Sequence, residues 1–194
     1  MNDKLMGGYM KIDLQQLLRY VPFLVGYLVA FYYKKRYDEK KIEDLYLFVL
    51  ISGLVGARLT YAVFNVGIFN YDWSSVISIS RYNLNLIGGL VISLIVLYLL
   101  CKKYNLDIQK YLKYYAIILF TIFLFSSLVE VYLIHQFPFY LSMTSQYELW
   151  LSAALFIAAI FIEVLLPEKY RIKYFTPILI VCVLLVKELI GFFI

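Results

Sequence analysis

The chain has 194 residues, 63% hydrophobic and 16% charged, with a mean hydropathy of +0.80 and a net charge of +5. Soluble domains run at about 45–50% apolar and about 25% charged, and a chain of this size cannot bury nearly all its residues in one core. The composition therefore excludes a soluble enzyme and predicts an all-α, polytopic integral membrane helix bundle, a single transmembrane domain over 1–194.

Six apolar segments follow in chain order, each near the roughly 20 residues that span a bilayer. They lie at 14–33, 45–66, 85–101, 114–136, 148–166 and 174–194. The connection after the first carries Lys34, Lys35, Arg36, Lys40 and Lys41. The one after the third carries Lys102, Lys103, Lys110 and Lys113, and the one after the fifth Lys169, Arg171 and Lys173. These three connections hold 12 of the 18 basic residues, whereas the alternate connections hold only Arg81. Basic loops stay cytoplasmic, so both termini are expected outside. The N-terminal tail, with Lys4, Lys11 and Arg19 against Asp3 and Asp13, is the weakest part of that asymmetry.

The basic cytoplasmic rim suits anionic headgroups. No aromatic-interleaved basic patch points to nucleic acid. The tyrosines and phenylalanines gather at segment ends, as in Tyr32-Tyr33 and Tyr114-Tyr115, where aromatic rings anchor at the interface. Cys101 and Cys182 fall at different depths, so no disulfide is expected, and nothing resembles a metal or redox motif; no cofactor is anticipated. The first apolar stretch leads into basic residues rather than a small-residue cleavage site, unlike a secretory signal peptide.

One arginine stands inside an apolar run, Gly53-Leu54-Val55-Gly56-Ala57-Arg58-Leu59-Thr60-Tyr61. Charge at membrane depth is costly and generally faces the bundle interior, where it works. Gly53, Gly56 and Ala57 let a neighbouring helix come close. With the orientation above and a rise of about 1.5 Å per residue, Arg58 sits in the outer half of its segment. Arg19, Tyr20, Asn83, Asn85, Glu130, His135, Glu148, Lys187 and Glu188 fall on the same side, so polar groups of all six segments converge on one leaflet. Glu163 alone lies toward the cytoplasm, within reach of Lys169 or water. Plainer roles stand beside the functional ones. Glu148 suits a helix start capped by Thr144, His135 an interfacial position, Lys187 a side chain snorkelling with Glu188, and Arg58 with Glu130 a structural buried pair.

The stretch Ile42 to Asn65, IEDLYLFVLISGLVGARLTYAVFN, resembles the prolipoprotein diacylglyceryl transferases in its GARLxY-type core and acidic lead-in. Arg19-Tyr20 falls where that family has a functionally important tyrosine. Gly88-Gly89 matches its glycine pair, and Thr144-Ser145-Gln146-Tyr147-Glu148 is similar to its P-T-Q-L-Y-E segment. The chain departs from the family pattern too. Ile87 stands where the family has a histidine, Ile122 and Phe125 where its R-x-G-N-F-x-x-x-E signature has arginine and asparagine, and most of its outer insertion is absent.

The resemblance implies a transferase of the bacterial plasma (inner) membrane that moves diacylglyceryl from phosphatidylglycerol to the lipobox cysteine of a lipoprotein precursor, releasing glycerol 1-phosphate. Its catalytic residues would be Tyr20, Arg58, Glu130 and His135: Arg58 for phosphate, Tyr20 for headgroup or thiol, and Glu130 or His135 for the proton. Asn85, Gly88, Gly89, Tyr147, Glu148 and Lys187 would bind substrate, Lys187 adding a second phosphate contact. Two alternatives stay open. One is a catalytically inactive relative that binds lipid, a lipoprotein signal segment or a partner protein. The other is a small-ligand-binding subunit of a transporter.

Overall fold

In the computed structural model, residues 17–38, 40–65, 85–136, 145–165 and 175–193 are described, and they form six α-helices with no strand among them. These are α1 (Val21–Tyr37), α2 (Ile42–Phe64), α3 (Leu86–Lys103), α4 (Ile108–Gln136), α5 (Gln146–Leu165) and α6 (Phe175–Phe193). Four of them, α2 to α5, are long and apolar enough to cross a membrane. α1, with 17 residues, and α6, with 19, are the two outside that set. The chain is an all-helical, multi-pass membrane protein.

Local chemistry explains the helix ends. α1 opens with Pro22 in its first turn and closes on Lys34, Lys35 and Arg36, cations that complement the negative end of the helix dipole. Glu43 and Asp44 occupy the first turn of α2 for the opposite reason. α3 ends in a Schellman motif: Asn105 takes a left-handed φ of 52°, Leu106 N–H donates to Cys101 C=O at 2.8 Å, and Asn105 N–H donates to Lys102 C=O at 3.4 Å. Asp107 then caps α4, its Oδ1 accepting from Gln109 N–H at 2.9 Å.

α4 is the centre of the bundle. Ala116 to Ile122 are buried without a break, which a helix shows only when neighbours surround it on all sides. It packs on α1, α3, α5 and α6. One core joins Leu90 of α3, Phe120 of α4, Phe156 of α5 and Val183 of α6. A second gathers Ile42, Leu45, Leu97, Cys101, Tyr111 and Tyr114 at the end where α2 and α4 begin and α3 finishes. The outward faces carry large exposed apolar side chains such as Leu28, Phe48, Phe64, Ile95 and Phe161, the surface a bilayer solvates.

The structure moves several expected boundaries. α1 runs from Val21, with Pro22 placed to begin a helix, and the expected start near 14 lies outside the described residues. α4 starts at Ile108 rather than 114, so Tyr114 and Tyr115 lie well over a turn inside it. Tyr114 is therefore buried against Tyr33 of α1, ring centres 4.8 Å apart, rather than serving as an interfacial anchor. Glu163 is fully buried instead of reaching water; Lys169, its expected neighbour, lies outside the described residues. Thr144 is also outside them, and the α5 cap is Ser145, whose Oγ accepts from Glu148 N–H at 3.1 Å.

Where α1 meets α2, Lys34 Nζ and Tyr27 OH both donate to the Glu43 carboxylate. The hydrogen bond to Glu43 holds the Lys34 ammonium above its ordinary pKa.

Candidate functional site

The small residues of α2 receive α3 at backbone distance. A Cβ added at Gly88 would stand 2.2 Å from Thr60 Oγ1, and one at Gly89 would stand 2.8 Å from the Gly53 carbonyl oxygen and 2.9 Å from Ala57 Cβ. At Gly56 it would meet Ile92 Cβ at 2.7 Å. Close approach of this kind is how small residues associate helices in lipid, where apolar side chains gain little by leaving the bilayer. The glycine pair of α3 thus sits in helix packing, directly against the run that carries Arg58.

Asn85 locks one end of this contact. Its backbone N–H donates to the Ala57 carbonyl at 2.9 Å, and its side-chain Oδ1 accepts from Gly88 N–H at 2.9 Å, capping α3. Arg58, the next residue along α2, is 4% exposed, with its guanidinium carbon 5.9 Å from the Tyr61 ring centre. Arg58, Asn85, Gly88 and Gly89 therefore share one corner of the bundle.

Two hollows flank that corner. One, of about 280 Å³, runs between α2, α3 and α4 from Ala57, Leu86 and Gly89 down to Ile42, Leu97 and Tyr111. Its walls are apolar apart from a few hydroxyls, two of them from Ser93 and Tyr115, which lie 2.7 Å apart. Ser93 Oγ also lies 2.8 Å from the Leu90 carbonyl and donates to it, so the Tyr115 hydroxyl is the donor to Ser93. The other hollow, of about 580 Å³, opens over Thr60, Phe64, Asn85, Ile87, Gly88 and Val91. The apolar hollow and the Ser93–Tyr115 pair escaped the sequence reading, because both depend on which faces of α3 and α4 meet.

The remaining candidates lie elsewhere on the helices. Tyr20 is the residue before α1 and is 70% exposed, its carbonyl accepting from Phe23 and Leu24. Glu130 is half-buried on α4. His135, exposed at the end of α4, has Nε2 2.8 Å from Gln146 Nε2, which ties α4 to the start of α5. Tyr147 is 77% exposed, and Glu148 is half-buried in the first turn of α5. Lys187 pairs with its neighbour Glu188 at 3.2 Å.

The positions where the resemblance lacks polar groups have structural occupants. Ile87 is 71% exposed and lines the open hollow. Ile122 is buried, with its Cγ1 only 2.7 Å from where a Cβ on Gly26 would stand, so it serves the α1–α4 contact. Among the described residues, no group of three or more His, Cys, Asp or Glu side chains is placed to hold a metal ion.

The fold and this corner define a multi-pass helical membrane protein with a buried guanidinium beside an apolar hollow. Within that class, the family profile for prolipoprotein diacylglyceryl transferase matches residues 6–126, and the chain belongs to that family. It is 32% identical over 91 residues to the phosphatidylglycerol–prolipoprotein diacylglyceryl transferase of Finegoldia magna, covering 46% of this chain and 37% of that protein. The enzyme of the same name from Buchnera aphidicola is 30% identical over 95 residues, covering 45% of this chain and 34% of the relative. That of Lactobacillus acidophilus is 36% identical over 73 residues, covering 38% and 26%. The matches thus span only about a quarter to just over a third of the curated relatives' own length. No solved structure matches.

Proposed function

We propose that the chain is a reduced diacylglyceryl transferase of the bacterial plasma membrane, with both termini outside, acting on phosphatidylglycerol from the outer leaflet. The observation that carries this reading is the family match over 6–126 together with a buried Arg58 that follows Ala57, a residue lining the apolar hollow. That combination suits a ligand with an anionic head and apolar tails. An acyl chain of the donor lies along the hollow between α2, α3 and α4, and its phosphate meets Arg58, with Lys187 adding charge.

In the reaction the lipobox cysteine thiol gives its proton to Glu130 or His135. The thiolate then attacks the glyceryl carbon bonded to the phosphodiester oxygen. The carbon–oxygen bond breaks, its electron pair leaves with glycerol 1-phosphate, and a thioether remains on the protein substrate. Arg58 offsets charge growing on the departing phosphate, while Tyr20, Asn85, Tyr147 and Glu148 hold headgroup and signal segment in line.

A second reading rests on Ile87, Ile122 and Phe125. Apolar side chains at these positions remove a basic group and a phosphate clamp, which favours a relative that binds phosphatidylglycerol or a lipoprotein signal segment without turnover. The decisive experiment mixes purified protein, phosphatidylglycerol vesicles and a lipobox peptide and follows the cysteine by mass. Diacylglyceryl addition that vanishes in Arg58→Ala supports the enzyme. Saturable lipid binding with no mass gain supports the inactive relative.

A further inference from the structure

The end of the bundle opposite Arg58 carries a cationic feature that the transferase reading does not use. The α1–α2 and α3–α4 connections are both tight turns, each with a left-handed residue, Asp38 at φ 53° and Asn105 at φ 52°. They lie side by side. Lys41, from the first turn, places its ammonium 4.6 Å from the centre of the Tyr104 ring in the second, and Lys103 places its own 5.5 Å from the same centre. Two like charges are thus gathered on one exposed ring. Among the described residues neither forms an ion pair; Asp44, one turn along α2 from Lys41, is exposed and makes none with it.

Two ammoniums converging on short, internally hydrogen-bonded turns form a preorganised seat for an anion, which would relieve their mutual repulsion. What lies beneath them selects the kind of anion. One and two turns below Lys103 on the same face of α3 are Leu99 and Ile95, each more than half exposed. Two turns from Lys41 on α2 is Phe48, 57% exposed. Each cation therefore crowns an apolar strip directed into the bilayer. A soluble anion has no use for those strips, whereas acyl chains lie along them.

We propose that Lys41, Lys103 and the Tyr104 ring form a binding site for the phosphate of an anionic phospholipid in the leaflet at the basic end of the bundle, separate from the Arg58 corner. The phosphodiester bridges the two ammoniums, the Tyr104 hydroxyl donates to a headgroup oxygen, and the tails descend over Leu99, Ile95 and Phe48.

The test uses the full chain in nanodiscs of phosphatidylcholine doped with phosphatidylglycerol, and counts retained phosphatidylglycerol by native mass spectrometry. Lys41→Gln/Lys103→Gln is compared with Lys35→Gln/Lys40→Gln, which removes the same charge from the same end. Each pair gives up the diffuse attraction of two surface cations, about fivefold apiece, and the first pair is expected to weaken retention beyond the second, because it also removes the seat. Loss of one lipid in that double variant alone, with millimolar inorganic phosphate failing to displace it, supports the site. Equal loss in both double variants would mean diffuse attraction and overturn it. Displacement by inorganic phosphate would assign the seat to a soluble anion and overturn the lipid assignment. All four side chains are exposed, so both variants are expected to fold, and unchanged thermal unfolding checks this.

Discussion

Asn85 donates its main-chain N–H to the carbonyl of Ala57 across 2.9 Å, joining the start of α3 to α2 one residue before Arg58. A backbone-to-backbone bond between two helices needs their axes unusually near, and Gly88 and Gly89 supply that nearness. The same asparagine caps α3 through its side chain. The position of Arg58 relative to α3 thus rests on the glycine contact together with Asn85, a residue that is neither charged nor buried.

Asn85→Ala removes the side-chain acceptor while leaving the main-chain bond. Loss of an N-cap costs about 1 kcal/mol, and a fall of about 2–4 °C in the unfolding midpoint is expected in detergent. Asn85→Asp keeps an acceptor for Gly88 N–H and is expected to stay within about 1 °C of the parent, read in the same melt.

The two glycines should respond differently to repair. Gly88→Ala puts a methyl against the Thr60 side chain, and Gly89→Ala puts one against the Gly53 carbonyl oxygen and Ala57 Cβ. Each is expected to destabilise by about 1–3 kcal/mol, the usual cost of overpacking. Thr60→Gly restores part of the loss for Gly88→Ala, because the obstacle there is a side chain. It does nothing for Gly89→Ala, where backbone is in the way. Chemical denaturation of the four variants gives the comparison.

Arg58→Ala and Arg58→Lys separate charge from shape. Removal of a donor aimed at developing negative charge costs about 100- to 1,000-fold in turnover. Lysine keeps the charge but loses the planar fork that grips phosphate at two oxygens, so its activity is expected between parent and alanine. Single-turnover lipidation of a lipobox peptide reads both. Arg58→Lys as active as the parent would remove bidentate recognition from the mechanism.

Leu54 lines the apolar hollow and is 37% exposed, so a larger side chain there has room to settle. Leu54→Trp is expected to crowd the hollow and reduce copurified phospholipid by at least about twofold without lowering the unfolding midpoint by more than about 2 °C. Lipid phosphate per protein measures it. Unchanged lipid content would place the donor chains elsewhere on the bundle.

His135→Gln tests the proton carrier. The side chain is exposed and bonded to Gln146 across the α4–α5 junction, a structural use that needs no titration. Lipidation within about threefold of the parent would leave Glu130 to take the proton, since general acid–base catalysis contributes about 100- to 10,000-fold.

Composition was enough for the membrane class and for the six helices among the described residues, and the α1–α2 and α3–α4 basic turns, expected on one side, share one end of the bundle. Those properties come from transfer of apolar residues out of water and from short-range helix signals, both written along the chain. The crowding of Gly53, Gly56 and Ala57 announced a close neighbour, and the structure identifies that neighbour as α3. Tertiary structure alone decided the rest. Tyr114 became core because α4 begins at Ile108, and Glu163 was enclosed by packing that no local pattern reveals. The hollow reaching from Ala57 to Tyr111 arises where three helices separated in sequence leave space between them. Burial and cavities are properties of facing surfaces, and the angle and register at which helices face one another are set by contacts between residues far apart in the chain.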